Sequence, residues 1–319
     1  MSAVTTSDPV LSDVPATRRP IRWHIVVFLA PAVLVYTAVM IVPLFETLRL
    51  AFFQSIANQN VFVGLSNFKT LFFDARWSHQ FWKALGNNVY FFLIHMAVQN
   101  PIGIALAAIL SLPRLRAGGF YRTAIFMPTM LSFVIVGFGW KLILSPLWGV
   151  APSILNAVGL KFLFAPYLGR EAYALTTLGL ISVWQNVGIP MMLIYAAMLG
   201  IPEEIIEAAE IDGIVGVAQF FKIKLPLLWP TIGIVSILTF VGNFNAFDLV
   251  YATQGALAGP NYSTDILGTL LYRTFFGYQM QLGDPNMGAA VATMMFTIIL
   301  AGVCLYLFWV QRRIHRYQF

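Results

Sequence analysis

The chain has 319 residues, of which 59% are hydrophobic and only 10% charged, with 19 lysines and arginines against 13 aspartates and glutamates. A water-soluble domain carries about a quarter of its residues as charges, so lipid is the solvent for much of this chain. The net charge of +6 is not gathered on a soluble basic face, which argues against a nucleic-acid partner.

Residues 1–24 read as a short cytoplasmic tail. They are polar, include Pro15, Arg18, Arg19 and Pro20, and precede an apolar stretch long enough to span, unlike a cleavable export signal. Stretches at about 25–47, 87–111, 123–145, 173–198, 231–252 and 287–310 meet the length of a membrane span and predict a six-span transmembrane domain over 25–311. Pro31, Pro101, Pro128 and Pro190 interrupt them, as membrane helices allow when neighbouring helices satisfy the released backbone groups. Basic residues then set the orientation. Arg18, Arg19 and Arg22, the segment "RLRAGGFYR" with Arg114, Arg116 and Arg122, and the tail 312–319 with Arg312, Arg313 and Arg316 are expected inside the cell. Loops 54–86, 146–172 and 253–286 are expected outside, with 62–85 as an aromatic-rich interfacial helix. Arg49 and Lys141 fall near outer span ends and can snorkel. Cys304 is expected as filler within a span.

The loop 199–230 is cytoplasmic by alternation, although it carries five acidic residues and two lysines. Acidic residues weigh little in orientation, so the conflict is mild. Its segment "IPEEIIEAAEIDG" predicts a helix over 202–213: Pro202 suits the first helical position, Glu203 and Glu204 complement the helix dipole, and Gly213 is a natural stop. Glu203, Glu207 and Glu210 share one face, with Ile205, Ala208, Ala209 and Asp212 opposite. A helix of about 11 residues is marginal alone in water, so it is expected to dock against something.

Glu207-Ala208-Ala209, then Gly213, then Ile223-Lys224-Leu225-Pro226 resembles the EAA signature of the membrane subunits of bacterial ATP-binding-cassette importers, in register over twenty residues. "FVGLSNF" (62–68), "YRTAIFMPTMLSFVIVGFGW" (121–140) and "LPLLWPT" (225–231) resemble the carbohydrate-uptake branch, which includes the maltose and glycerol-3-phosphate importers. The resemblance runs from about residue 24 to the end, and departs after span 5, where Gly255 and Gly259-Pro260 are separated by "ALA". It implies an all-α, six-span type I importer permease fold in a bacterial inner membrane, with both termini cytoplasmic. The 202–213 segment becomes a coupling helix on a cytoplasmic ATPase, with Glu203, Glu204, Glu207, Ala208, Ala209, Asp212, Gly213, Ile223, Leu225 and Pro226 at the coupling site. The implied partners are a second homologous permease, two copies of the ATPase and an extracytoplasmic solute-binding protein. ATP and magnesium would sit on the ATPase, and no cofactor in this chain.

Polar residues inside a span are costly and so are functional candidates. "WQNVGIP" (184–190) and "TFVGNFNAFD" (239–248) hold such residues, and by family resemblance Trp184, Asn186, Gly188 and Met191 would line a substrate path with Thr239, Gly242, Asn243, Asn245 and Ala246. Asn can both donate to and accept from sugar hydroxyls, although membrane helices also use Asn and Gln to bind one another. Asp248, late in span 5, reads as a structural acid at a helix end. There is no G-x-x-x-x-G-K-[S/T], H-E-x-x-H or G-x-S-x-G pattern, so the chain is expected to be neither an ATPase nor another enzyme. His24, His79, His95 and His315 are too scattered to suggest a metal site. A stand-alone secondary transporter is the alternative. It would need an intramembrane ion site, which the spans do not show.

Overall fold

A computed structural model describes residues 23–56, 59–112, 115–279 and 281–310. The basic tails with Arg18, Arg19, Arg22, Arg312, Arg313 and Arg316, together with Arg114, lie outside the described residues. The chain divides into two units, one ending at Glu46 and one beginning at Thr47. The described part of the first is a helix from Trp23 to Tyr36, continued through a wide π turn at Thr37–Ile41, with Phe28 and Leu34 exposed.

The second unit is almost wholly helical. A hairpin pairs Phe53–Ile56 with Gln59–Phe62 antiparallel. The segment predicted as one interfacial helix over 62–85 instead forms a helix at Ser66–Phe73 and the start of a long one, Ala75–Leu110. Asp74 separates them: its Oδ1 accepts from the backbone amides of Arg76 (3.0 Å) and Trp77 (3.2 Å), a side-chain cap no hydrophobicity scan registers. The 36-residue helix is about 54 Å long, so its first turns extend beyond a bilayer core. Within it a π turn at His95–Gln99 precedes Asn100-Pro101. Proline lacks an amide hydrogen and crowds the carbonyl four residues back, and the widened turn accommodates both.

Three further stretches are bent pairs. Gly118–Met130 and Phe133–Ile143 meet at 95°, Glu171–Asn186 and Gly188–Leu199 at 41°, and Gly216–Leu227 and Trp229–Phe244 at 68°. The expected span 123–145 is therefore sharply broken after Pro128. The side chain of Gln185 fixes that break by donating to Leu131 O at 2.9 Å. The stretch 231–252 is also interrupted, with helices Trp229–Phe244 and Asp248–Gln254 flanking Asn245–Phe247. Pro285–Phe308 is the last long apolar helix, and Cys304 lies on it.

The expected outer loop 253–286 contains a packed helix, Leu267–Phe276, whose Arg273 is 2% exposed. Arg273 forks onto Asp265 (Nη2–Oδ2 2.7 Å, Nη1–Oδ1 3.2 Å) and also donates to Ala256 O at 3.0 Å. The long helix holds the same loop from its other side. Asn87 donates to Asp265 O at 2.7 Å, and Asn88 accepts from Leu267 N at 2.7 Å. One apolar cluster lies here, around Leu71, Phe81, Phe244, Leu270 and Val291. Another packs Ala107, Met191, Ile194, Leu228 and Val235.

Candidate functional site

The first candidate is the acidic helix, which spans Glu203–Ile211. Pro202 sits at its N-terminal boundary, and Glu203 and Glu204 occupy the first turn, where they face the positive end of the helix dipole. Gly213, at φ +76°, turns the chain into the left-handed region that glycine enters without a Cβ penalty. The Ile214 amide then bonds back to Ala209 O at 2.8 Å, closing the last turn. Glu203, Glu204, Glu207, Glu210 and Asp212 are all exposed, and none has a side-chain partner among the described residues. Ile211 (87% exposed), Val215 and Val217 add an open apolar surface beside them. The two alanines part company: Ala208 is exposed, whereas Ala209 is buried in its own chain and is not offered to a docking partner. Ile223, Leu225 and Pro226 are half-buried in the segment that leads, through the 68° bend, into Trp229–Phe244.

The second candidate is a cleft of about 390 Å³ between the long helix, the 171–199 pair and the broken 229–254 stretch. The π turn brings His95 and Gln99 to its wall, where Asn186, Thr239, Gly242, Asn243 and Asn245 also stand. Asp248 opens the short helix at the interruption and is exposed on the same cleft, so the acid expected at a helix end is there and also faces the cavity.

The amide N–H groups are mostly spent within the helices. Asn186 donates to Ser182 O (2.9 Å), Asn243 to Thr239 O (2.7 Å) and Asn245 to Val241 O (3.1 Å). His95 bonds Phe91 O through Nδ1 (2.8 Å) and Ser182 Oγ through Nε2 (2.9 Å). Gln99 Oε1 and Asn243 Oδ1 have no hydrogen-bond partner among the described residues but are fully enclosed, so the polar groups exposed on the cleft are those of Asn245 and Asp248. Exposed amide and carboxylate oxygens accept hydrogen bonds from ligand hydroxyls. Among the described residues no lysine or arginine lines the cleft.

Three of the expected path residues lie elsewhere. Trp184 is 43% exposed and packs edge-on against Trp140, with ring centroids 5.5 Å apart. Met191 is fully buried in the core beside Ala107 and Ile194. Gly188 is a packing residue, since a Cβ there would stand 2.9 Å from Phe126 Cα. All three sit on the predicted segment, but the 41° bend and the rotation of its helices direct them away from the cleft. Sequence reasoning passed over His95 and Gln99, because one histidine and one glutamine in an apolar run carry no spacing signal. Asn100-Pro101, which goes with the π turn, was the available clue.

No family model matches the chain. Its sequence is 33% identical over 277 residues to the probable ABC transporter permease protein YurN of Bacillus subtilis (strain 168), covering 86% of this chain and 91% of that protein. It is 34% identical over 238 residues to the multiple sugar-binding transport system permease protein MsmF of Streptococcus mutans, covering 75% and 77%. It is 32% identical over 281 residues to the alpha-glucoside transport system permease protein AglF of Rhizobium meliloti, covering 86% and 78%. A chain of a bacterial alginate ABC transporter, solved in complex with an alginate pentasaccharide-bound periplasmic protein, shares the fold: TM-score 0.73, 21% identity, 89% and 92% covered.

Proposed function

This chain belongs to the permease subunits of the ABC transporters, integral membrane proteins, and from that premise we propose that it forms half of the path by which a neutral sugar enters the cell. The carrying observation is the cleft: Asn186, Asn245 and Asp248 present amide and carboxylate groups on its wall, and no lysine or arginine lines it among the described residues. Such a wall suits hydroxyl donors and repels phosphate or uronate. Curated relatives that handle multiple sugars and alpha-glucosides support the same class.

The acidic helix is the coupling element. Its five unpartnered carboxylates can meet basic groups of a cytoplasmic ATPase, with Ala208, Ile211 and Val217 filling apolar ground between them. Ala209, Ile223, Leu225 and Pro226 position the helix and pass its displacement into Trp229–Phe244, which carries Thr239, Gly242 and Asn243 to the cleft. A second, related permease completes the path, two ATPase copies holding ATP and magnesium supply the energy, and a soluble binding protein delivers the sugar. The membrane is the bacterial inner membrane, with both termini inside.

Gentle purification of the tagged chain, identification of everything retained, and sugar uptake by the reconstituted assembly test this. Recovery of a P-loop ATPase and ATP-dependent uptake of a neutral sugar are expected. Solute movement by the chain alone without ATP would overturn the reading.

A further inference from the structure

Beside the cleft, three aromatic rings form a compact triangle with a fourth outside it. Phe247, on the cleft wall, stacks on Tyr251 (centroids 5.0 Å, 27° between planes) and lies 5.4 Å from Tyr272. Tyr251 and Tyr272 are 4.9 Å apart, and Phe276 follows at 5.1 Å. None of the four is buried, and Phe276 is 69% exposed. The hydroxyls of Tyr251 and Tyr272 are paired at 3.4 Å.

The cluster sits on a firm frame. Tyr272 and Phe276 ride on Leu267–Phe276, whose opposite face buries Leu267, Leu270 and the Asp265-paired Arg273. The cluster also lies at the far end of Trp229–Phe244 from the acidic helix, about 24 Å along that helix. If the acidic helix meets the ATPase, the rings stand on the side where solute arrives. An aromatic face carries negative partial charge, and the axial C–H groups of a pyranose present positive hydrogens to it. Phenolic hydroxyls beside the rings and Asp248 at the cleft edge add polar contacts that a lipid-facing or purely packing cluster would not need.

We propose that Phe247, Tyr251, Tyr272 and Phe276 form a stacking platform that holds a pyranose ring of an oligosaccharide outside the cleft on its way in. This rests on the neutral-sugar reading above.

The complete transporter, with its ATPases and binding protein in liposomes, would be supplied with radiolabelled glucose, maltose, maltotriose and raffinose. Tyr251→Leu and Tyr272→Leu should lower trisaccharide uptake at limiting concentration by roughly two- to tenfold per ring lost, the range of one aromatic contact. Monosaccharide uptake should fall less, assembly should be unchanged, and Tyr272→Phe, which keeps the ring, should restore uptake. Equal losses for all sugars, loss of assembly, failure of Tyr272→Phe to restore uptake, or unchanged trisaccharide uptake would each overturn the platform and leave the cleft reading standing. Import by the unmodified transporter confined to monosaccharides would also overturn it. Import of no sugar would overturn both.

Discussion

Replacing Arg273 by Met should be the most damaging single change on the described face of the 253–276 region. Arg273 and Asp265 are each 2% exposed, and the guanidinium supplies two contacts to the carboxylate, one to Ala256 O, and lies 4.9 Å from the Tyr262 ring. With Arg273 gone, Asp265 keeps only the Thr269 hydroxyl donor at 2.7 Å among its side-chain partners. An uncompensated buried charge of this kind costs about 3–5 kcal/mol. Removing both charges, as Asp265→Leu with Arg273→Met, leaves no buried charge and should cost far less than the sum of the single changes. Hydrogen exchange of the 256–270 amides in the purified protein reads this directly, because local opening there requires release of the pair. The single Arg273 variant should speed exchange by about two orders of magnitude or more, and the double variant should recover much of the protection. A loss below about 1 kcal/mol for Arg273→Met, or additive losses in the double variant, would refute the view that the ion pair locks this loop.

At Gly213, nothing lies within 4 Å of where a Cβ would stand. Gly213→Ala should therefore cost only the left-handed conformational penalty, about 1 kcal/mol, and weaken ATPase retention modestly. Gly213→Pro cannot reach φ +76° and should uncouple ATP hydrolysis from uptake, as judged by retention and stimulated ATPase activity. Asn245→Leu and Asp248→Leu each remove an acceptor exposed on the cleft and should raise the half-saturation concentration for sugar roughly two- to tenfold without loss of assembly. Gly188→Leu should lower folded yield, since its Cβ would press on Phe126 Cα at 2.9 Å, an overpacking cost of about 1–3 kcal/mol. Trp184→Phe should leave half-saturation unchanged, because Trp184 packs on Trp140 and not on the cleft; a shifted value would return it to the path.

The sequence by itself determined the solvent of the chain, because 59% hydrophobic residues in long runs have no other stable placement. It also determined the acidic helix and its stop: Pro202, the early glutamates and Gly213 act within one or two turns, where local chemistry decides the backbone. Asn186, Thr239, Asn243 and Asn245 were legible as polar residues in apolar runs, and they meet in one cleft together with Gly242. Only the tertiary structure decided which way each residue of those runs faces. A π turn at His95–Gln99, a 95° break after Pro128 and the interruption at Asn245–Phe247 each rotate the helix beyond them. The 41° bend between Asn186 and Gly188 likewise turns Met191 from cavity to core, beside Ala107 and Ile194. Asp265 and Arg273 are eight residues apart and read as ordinary loop charges until the fold buries them together, since their pairing depends on what surrounds the loop and not on its own sequence.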